Sequence, residues 1–224
     1  MRKKVLTMNY VFGVLLILFT ALYDIFDILP FKWSASTCFV ILAFINFFYT
    51  KKNRPEKAKI ALFMLLGMIF AMGGDVSINF IFVIGAAVFA LGHIFYLITY
   101  CTIERIQKSD ILLAFLLIAA YLCSLFATPV FDFKGLDAVV IIYCIIINTM
   151  TAKAIMNAYR KKTKANVIFA CGSVLFLISD TMLVLNLFAN TTNLTHILCH
   201  AIYFPGQWTL AFGMFHLGDS DAHD

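Results

Sequence analysis

The chain has 224 residues, 62% of them hydrophobic and 13% charged, with a formal net charge of +5. Soluble domains lie nearer ~45 to 50% apolar and ~25% charged, so this composition excludes a soluble globular domain and makes the bilayer the solvent. The positive charge does not point to nucleic acid either, because the basic residues stand in short clusters between apolar runs, where they orient a membrane protein. The six cysteines, Cys38, Cys101, Cys123, Cys144, Cys171 and Cys199, fall in or beside apolar runs and form no C-x-x-C pair. Neither a disulfide framework nor a zinc knuckle is indicated, and free cysteines packed between helices are expected.

Crossing a ~30 Å hydrocarbon core takes ~20 helical residues, and the sequence divides at that spacing. The first expected span, 8–28, follows Arg2, Lys3 and Lys4, which resemble the start of a signal peptide. Tyr23, Asp24, Phe26 and Asp27 stand where small cleavage-site residues belong, so an uncleaved helix is expected. The second and third spans cover 34–50 and 59–78, the third closing on Gly73-Gly74-Asp75-Val76-Ser77. The fourth, 80–102, carries His93 at mid-span, with Tyr96 and Tyr100 on the same helical face. Spans five and six cover 111–129 and 137–157. The seventh, 165–187, holds Asp180 roughly seven residues, or ~10 Å, from its end. The eighth, 195–217, carries His196, His200, Tyr203 and Gln207, which at ~100° per residue lie within about 60° of one another, a narrow polar stripe on an apolar helix.

The expected architecture is therefore all-α: a single transmembrane bundle over 1–224 with eight spans and short loops. Runs of this length without strict alternation exclude a barrel. With an even number of spans, 15 Lys and Arg residues fall on the side of the termini and only Lys32 and Lys134 on the other. By the positive-inside rule both termini are cytoplasmic. The corresponding membrane is the plasma membrane in a bacterium or the endoplasmic reticulum in a eukaryote.

A carboxylate near the middle of a spanning helix costs ~2.5 to 3.5 kcal/mol on insertion scales, so each intramembrane ionisable group asks for a reason. Asp180 is the deepest, and with Asp75, His93 and the stripe on the last span it can line one polar cavity in the non-cytoplasmic half. Each residue also has a plainer reading. Asp75 can cap a helix end, Asp180 can bond to Tyr203 or Gln207 across helices, and His93 can be a satisfied core histidine. Gly67, Gly73, Gly74, Gly85, Gly92 and Gly172 read as close-packing points, and Asp24 and Asp27 as surface charge beside Lys32. His196 and His200 also have the i, i+4 spacing of two metal ligands, which Asp180 or Asp75 can complete, but no H-E-x-x-H accompanies them.

Gly73-Gly74-Asp75, Phe82 to Gly85, Ala90-Leu91-Gly92-His93-Ile94-Phe95-Tyr96, the run Phe176 to Asn186 around Ser179-Asp180, and Tyr203-Phe204-Pro205-Gly206-Gln207 together resemble the YhhN-like family. The likeness follows the order of the chain and covers most of it. It implies a lysoplasmalogenase, a membrane hydrolase that cleaves the vinyl-ether bond of a lysoplasmalogen to give a fatty aldehyde and glycerophosphoethanolamine or glycerophosphocholine. The positions it carries over are Asp75, His93, Tyr96, Ser179, Asp180, Asn186, Tyr203 and Gln207. Lys32 is a looser match, because this chain has Pro30-Phe31-Lys32-Trp33 where the family often has a Lys-Pro pair. His196 and His200 lie outside the pattern, so no metal and no cofactor is expected; the partners expected are the lysolipid substrate and membrane lipids.

Vinyl-ether hydrolysis needs an acid to protonate the β-carbon and a base to direct water onto the resulting oxocarbenium ion. A carboxyl among apolar helices suits the acid, here Asp180, and a second carboxylate in a wetter position, Asp75, suits the base. His93, Tyr96, Tyr203 and Gln207 are then candidates to hold the glycerol hydroxyl, the ether oxygen or the water, and Lys32 to meet the phosphate. Two competing readings are a small transporter, since intramembrane Asp and His also form pathways, and a non-catalytic lipid-binding protein of the same fold. Against transport, the two halves show no internal repeat.

Overall fold

The computed structural model describes residues 1–189 and 191–219. Residue 190 and the tail 220–224 of the single expected unit lie outside the described residues. Those described form eight α-helices and no strand: α1 (Arg2–Phe26), α2 (Leu29–Asn53), α3 (Ala58–Ser77), α4 (Phe82–Ile103), α5 (Lys108–Phe126), α6 (Asp137–Arg160), α7 (Lys164–Phe188) and α8 (Asn193–Gly218), with a 3-10 turn at Pro55–Lys57. Each expected span falls on one helix in order. Seven helices, α1 to α7, are long and apolar enough to cross a membrane, which marks a multi-pass membrane protein. The eighth is 26 residues long but carries His196, His200 and Gln207.

Helix ends differ from the expected spans where capping outweighs hydropathy. The fifth helix begins at Lys108 rather than 111 because Gln107 and Asp110 form a capping box, the Gln107 backbone N–H reaching Asp110 Oδ2 at 2.9 Å. The first closes where Asp27 turns left-handed (φ 53°) and donates its N–H to the Tyr23 carbonyl at 2.7 Å. Pro30 then opens α2 in its first turn, where its missing N–H costs nothing. Pro205 stands inside α8 without ending it, a placement that neighbouring helices in a spanning bundle tolerate.

The bundle alternates direction. Arg2 at the start of α1 pairs with Asp219, just past α8, at 2.7 Å, and Lys153 near the end of α6 pairs with Asp110 at the start of α5 at 2.7 Å. Arg160 joins that second cluster through Asp110 at 2.6 Å and Glu104 at 3.0 Å. The charged ends therefore gather on one side. The most extensive contacts are α7 with α8 and α3 with α4, and small residues set both. A Cβ at Gly172 would lie 2.7 Å from Leu210, one at Gly74 2.6 Å from Phe89, and one at Gly85 2.6 Å from the Ile78 backbone nitrogen. The expected packing role of these glycines is met. The fifth helix leans mainly on α6 and leaves Ile111, Leu112, Phe115 and Leu116 exposed, as a lipid-facing helix does.

Candidate active site

Two buried carboxylates occupy the half of the bundle opposite the charged ends, each held by a tyrosine from another helix. Asp75, in the last turn of α3, is 2% exposed. Its Oδ2 accepts from Ser36 of α2 at 2.6 Å and from Tyr203 of α8 at 2.8 Å. The Tyr203 oxygen accepts in turn from Gln207 Nε2 at 3.3 Å, and Gln207 Oε1 accepts from Tyr96 of α4 at 2.9 Å. Four helices are thus joined by one chain of hydrogen bonds ending on a carboxylate. Buried polar groups need such partners, and here each donor on the chain has an acceptor.

Asp180, on α7, is 7% exposed, so Asp75, expected in the wetter position, is the more buried of the two. Its Oδ2 accepts from Tyr143 of α6 at 2.7 Å, and the Tyr143 oxygen lies 2.8 Å from His93 Nε2. His93 Nε2 is itself 3.6 Å from Asp180 Oδ2. The His93 Nδ1 is buried with no hydrogen-bond partner among the described residues. Phe176 packs edge-on against the imidazole, ring centroids 4.6 Å apart, and fixes its plane.

Both carboxylates line a cavity of about 420 Å³ together with Lys32, Ser179, Asn186 and Tyr203. Lys32 is buried, donates to Asn79 Oδ1 at 3.2 Å and sits 5.8 Å from the Tyr23 ring centroid. Asn79 in turn donates to the Asp75 carbonyl. Lys134, from the loop before α6, also borders the cavity. Beside it runs a narrower apolar slot walled by Phe82, Val140, Ile147, Val184 and Leu187, and Asp180 borders both spaces. A chamber lined by charged side chains and an apolar slot meeting at a carboxyl form an amphipathic receptacle.

The residues singled out in the sequence divide into two groups. Asp75, Asp180, Lys32, Ser179, Asn186 and Tyr203 border the cavity. His93, Tyr96 and Gln207 do not; they stand behind it and reach it through Tyr143 and Tyr203. The partner of Asp180 is Tyr143, not Tyr203 or Gln207, and sequence reading passed Tyr143 over. One signal was present: a tyrosine in the middle of the apolar run 139–147 has a hydroxyl that must find a partner. The carboxylate facing His200 is neither Asp180 nor Asp75 but Asp24, at 3.1 Å, so Asp24 is not a plain surface charge.

A family model described as the YhhN family matches residues 29–214, from the first residue of α2 to the last turns of α8. No curated protein matches the chain, and no solved structure does.

Proposed function

This chain belongs to the YhhN family, and from that premise we propose that it is a membrane hydrolase that cleaves the vinyl-ether bond of lysoplasmalogens, releasing a fatty aldehyde and glycerophosphoethanolamine or glycerophosphocholine. The observation that carries the reading is the position of Asp180 at the meeting of a polar cavity and an apolar slot. A lysolipid has its scissile bond at that same junction, between a phosphate headgroup and a long chain. In this reading its alkenyl chain enters along the slot and its headgroup occupies the cavity, where Lys32 and Lys134 offer cations to the phosphate.

In this mechanism Asp180 delivers a proton to the vinyl β-carbon, and the double bond becomes an oxocarbenium ion. Water held by Asp75 adds to the cationic carbon and leaves its proton on Asp75, giving a hemiacetal. As the hemiacetal collapses, its hydroxyl proton returns to Asp180 while Asp75 protonates the departing glycerol oxygen. One water is consumed and both carboxyls are restored. Tyr143 and His93 position Asp180, while Ser36, Tyr203, Gln207 and Tyr96 position Asp75, so that neither carboxyl must reorganise as charge develops.

All eight helices cross the membrane in this proposal, as one unit, with both termini cytoplasmic. For α8, 26 residues span about 39 Å at ~1.5 Å each. Its polar positions face the bundle, and its contacts run from Asp24 at one end to Arg2 at the other. Reporter fusions at residue 134 and at the C-terminus are expected on opposite sides; the same side for both would overturn the topology. The activity is tested with purified protein and three lysolipids alike except at the chain linkage. Aldehyde release is expected from the vinyl ether alone, because neither the saturated ether nor the ester has a carbon–carbon double bond whose β-carbon can take a proton; no aldehyde from the vinyl ether would overturn the reading.

A further inference from the structure

The rim of the cavity holds a second constellation that the hydrolysis does not use. Asp24 comes from the last turn of α1, and His196 and His200 from successive turns of α8. One ligand atom from each, a carboxylate oxygen and two ring nitrogens, all lie within 4.8 Å of one another. Asp24 Oδ1 and His200 Nδ1 are 3.1 Å apart, and the two imidazoles stand edge to face with centroids 4.5 Å apart. Ligand atoms ~2.0 to 2.1 Å from a tetrahedral zinc stand roughly 3.3 Å from one another, so the Asp24–His200 edge already has a coordination length. Only His196 needs to turn inward.

We propose that Asp24, His196 and His200 form a binding site for one divalent cation of the zinc class, at the mouth of the cavity. The donor set of two imidazoles and one carboxylate is that of a borderline metal rather than of calcium or magnesium, which take oxygen. An i, i+4 histidine pair fixes two ligands on one rigid helix, and the third arrives from a segment 172 positions earlier in the chain, so the site exists only in the folded bundle. His196 makes ring contacts with Tyr23 and His200 but no hydrogen bond among the described residues, which leaves both its nitrogens available. His200 is buried and Asp24 and His196 are half-buried, so the site is formed in the protein yet reachable from outside. With three protein ligands, the remaining coordination is open toward the cavity that His196 and His200 border. The inference stands whether or not the cavity hydrolyses vinyl ethers.

The alternative is a plain interhelical hydrogen bond from His200 to Asp24 with no cation. His196→Ala separates the two, because it removes a ligand and leaves that bond intact. The untagged full-length protein, stripped of metal and titrated with Co²⁺ as a spectroscopic probe and with Zn²⁺, is expected to bind one equivalent of each. The cobalt form should show the visible absorption of a low-coordinate nitrogen and oxygen site. Zinc should raise the melting temperature of the wild-type protein, as any ligand confined to the native state does. His196→Ala should melt as the wild type does without metal, bind at least tenfold more weakly, and gain no zinc-dependent shift; Asp24→Asn should also lose tenfold or more. No stoichiometric binding by the wild type, or binding by His196→Ala as tight as the wild type's, overturns the site.

Discussion

Tyr143 donates a hydrogen bond to Asp180 Oδ2 at 2.7 Å and holds His93 Nε2 at 2.8 Å on its own hydroxyl oxygen, so one phenol from α6 ties α4 to α7 beside one of the two buried carboxylates of the cavity. Removing it tests whether Asp180 must be positioned. Tyr143→Phe keeps the ring in the core and deletes only the hydroxyl. A hydrogen bond to a charged or acidic group is worth ~1.5 to 3 kcal/mol, so kcat for aldehyde release should fall about tenfold to a hundredfold while KM changes little. Unaltered kcat would make Tyr143 a filler of the core with no part in the reaction.

The glycine contacts differ in what they would strike, and stability should follow that difference. A Cβ at Gly85 meets the backbone of Ile78 at under 3 Å, whereas one at Gly172 meets the Leu210 side chain that closely and a backbone atom, the Gly206 oxygen, only at 3.2 Å. Gly85→Ala should therefore cost about 1 to 3 kcal/mol as overpacking does, and Gly172→Ala clearly less. Thermal melting of the two variants in the same detergent checks the order; equal melting temperatures would contradict this packing at the α3–α4 turn.

Acid should loosen the clasp between the two ends of the chain. The Arg2 guanidinium holds the Asp219 carboxyl below the usual carboxylate range. A carboxyl with a lowered native pKa contributes stability above its unfolded value of ~3.9 and loses it as pH falls through the native value. Because Arg2 is exposed to solvent, the effect is screened to ~0 to 1 kcal/mol. Asp219→Asn should lower the melting temperature slightly at pH 7 and have no effect once the pH lies below the native value, where the wild-type carboxyl is also neutral. An equal loss at both pH values would show that the carboxyl's charge plays no part.

Much of this was legible in the sequence because membrane constraints are coarse and strong. Eight apolar runs of helical length became eight helices, and the stripe of His200, Tyr203 and Gln207 turned inward since lipid offers such groups no partner. Asp75 and Asp180 stood out for the same reason. The partners did not. Tyr143 lies 37 positions from Asp180, on a helix whose periodicity says nothing about which carboxyl it faces, and Asp24 meets His200 only because α1 and α8 pack together. Helix ends were missed by several residues because hydropathy marks where hydrocarbon stops, while backbone hydrogen bonds and caps continue past it, as at Gln107.

The central claim is that Asp180 supplies the proton, and Asp180→Asn addresses it most directly. The amide keeps the size of the carboxyl and its capacity to accept from Tyr143, and it removes a desolvation cost, so the variant should fold and melt at or slightly above the wild-type temperature. What it lacks is an acid. The measurement is the rate of fatty aldehyde release from a lysoplasmalogen by the folded, purified variant beside the wild type. A loss of about 10² to 10⁴ or more, the range general acid catalysis contributes, is the predicted result; near wild-type release from a folded Asp180→Asn protein would contradict it.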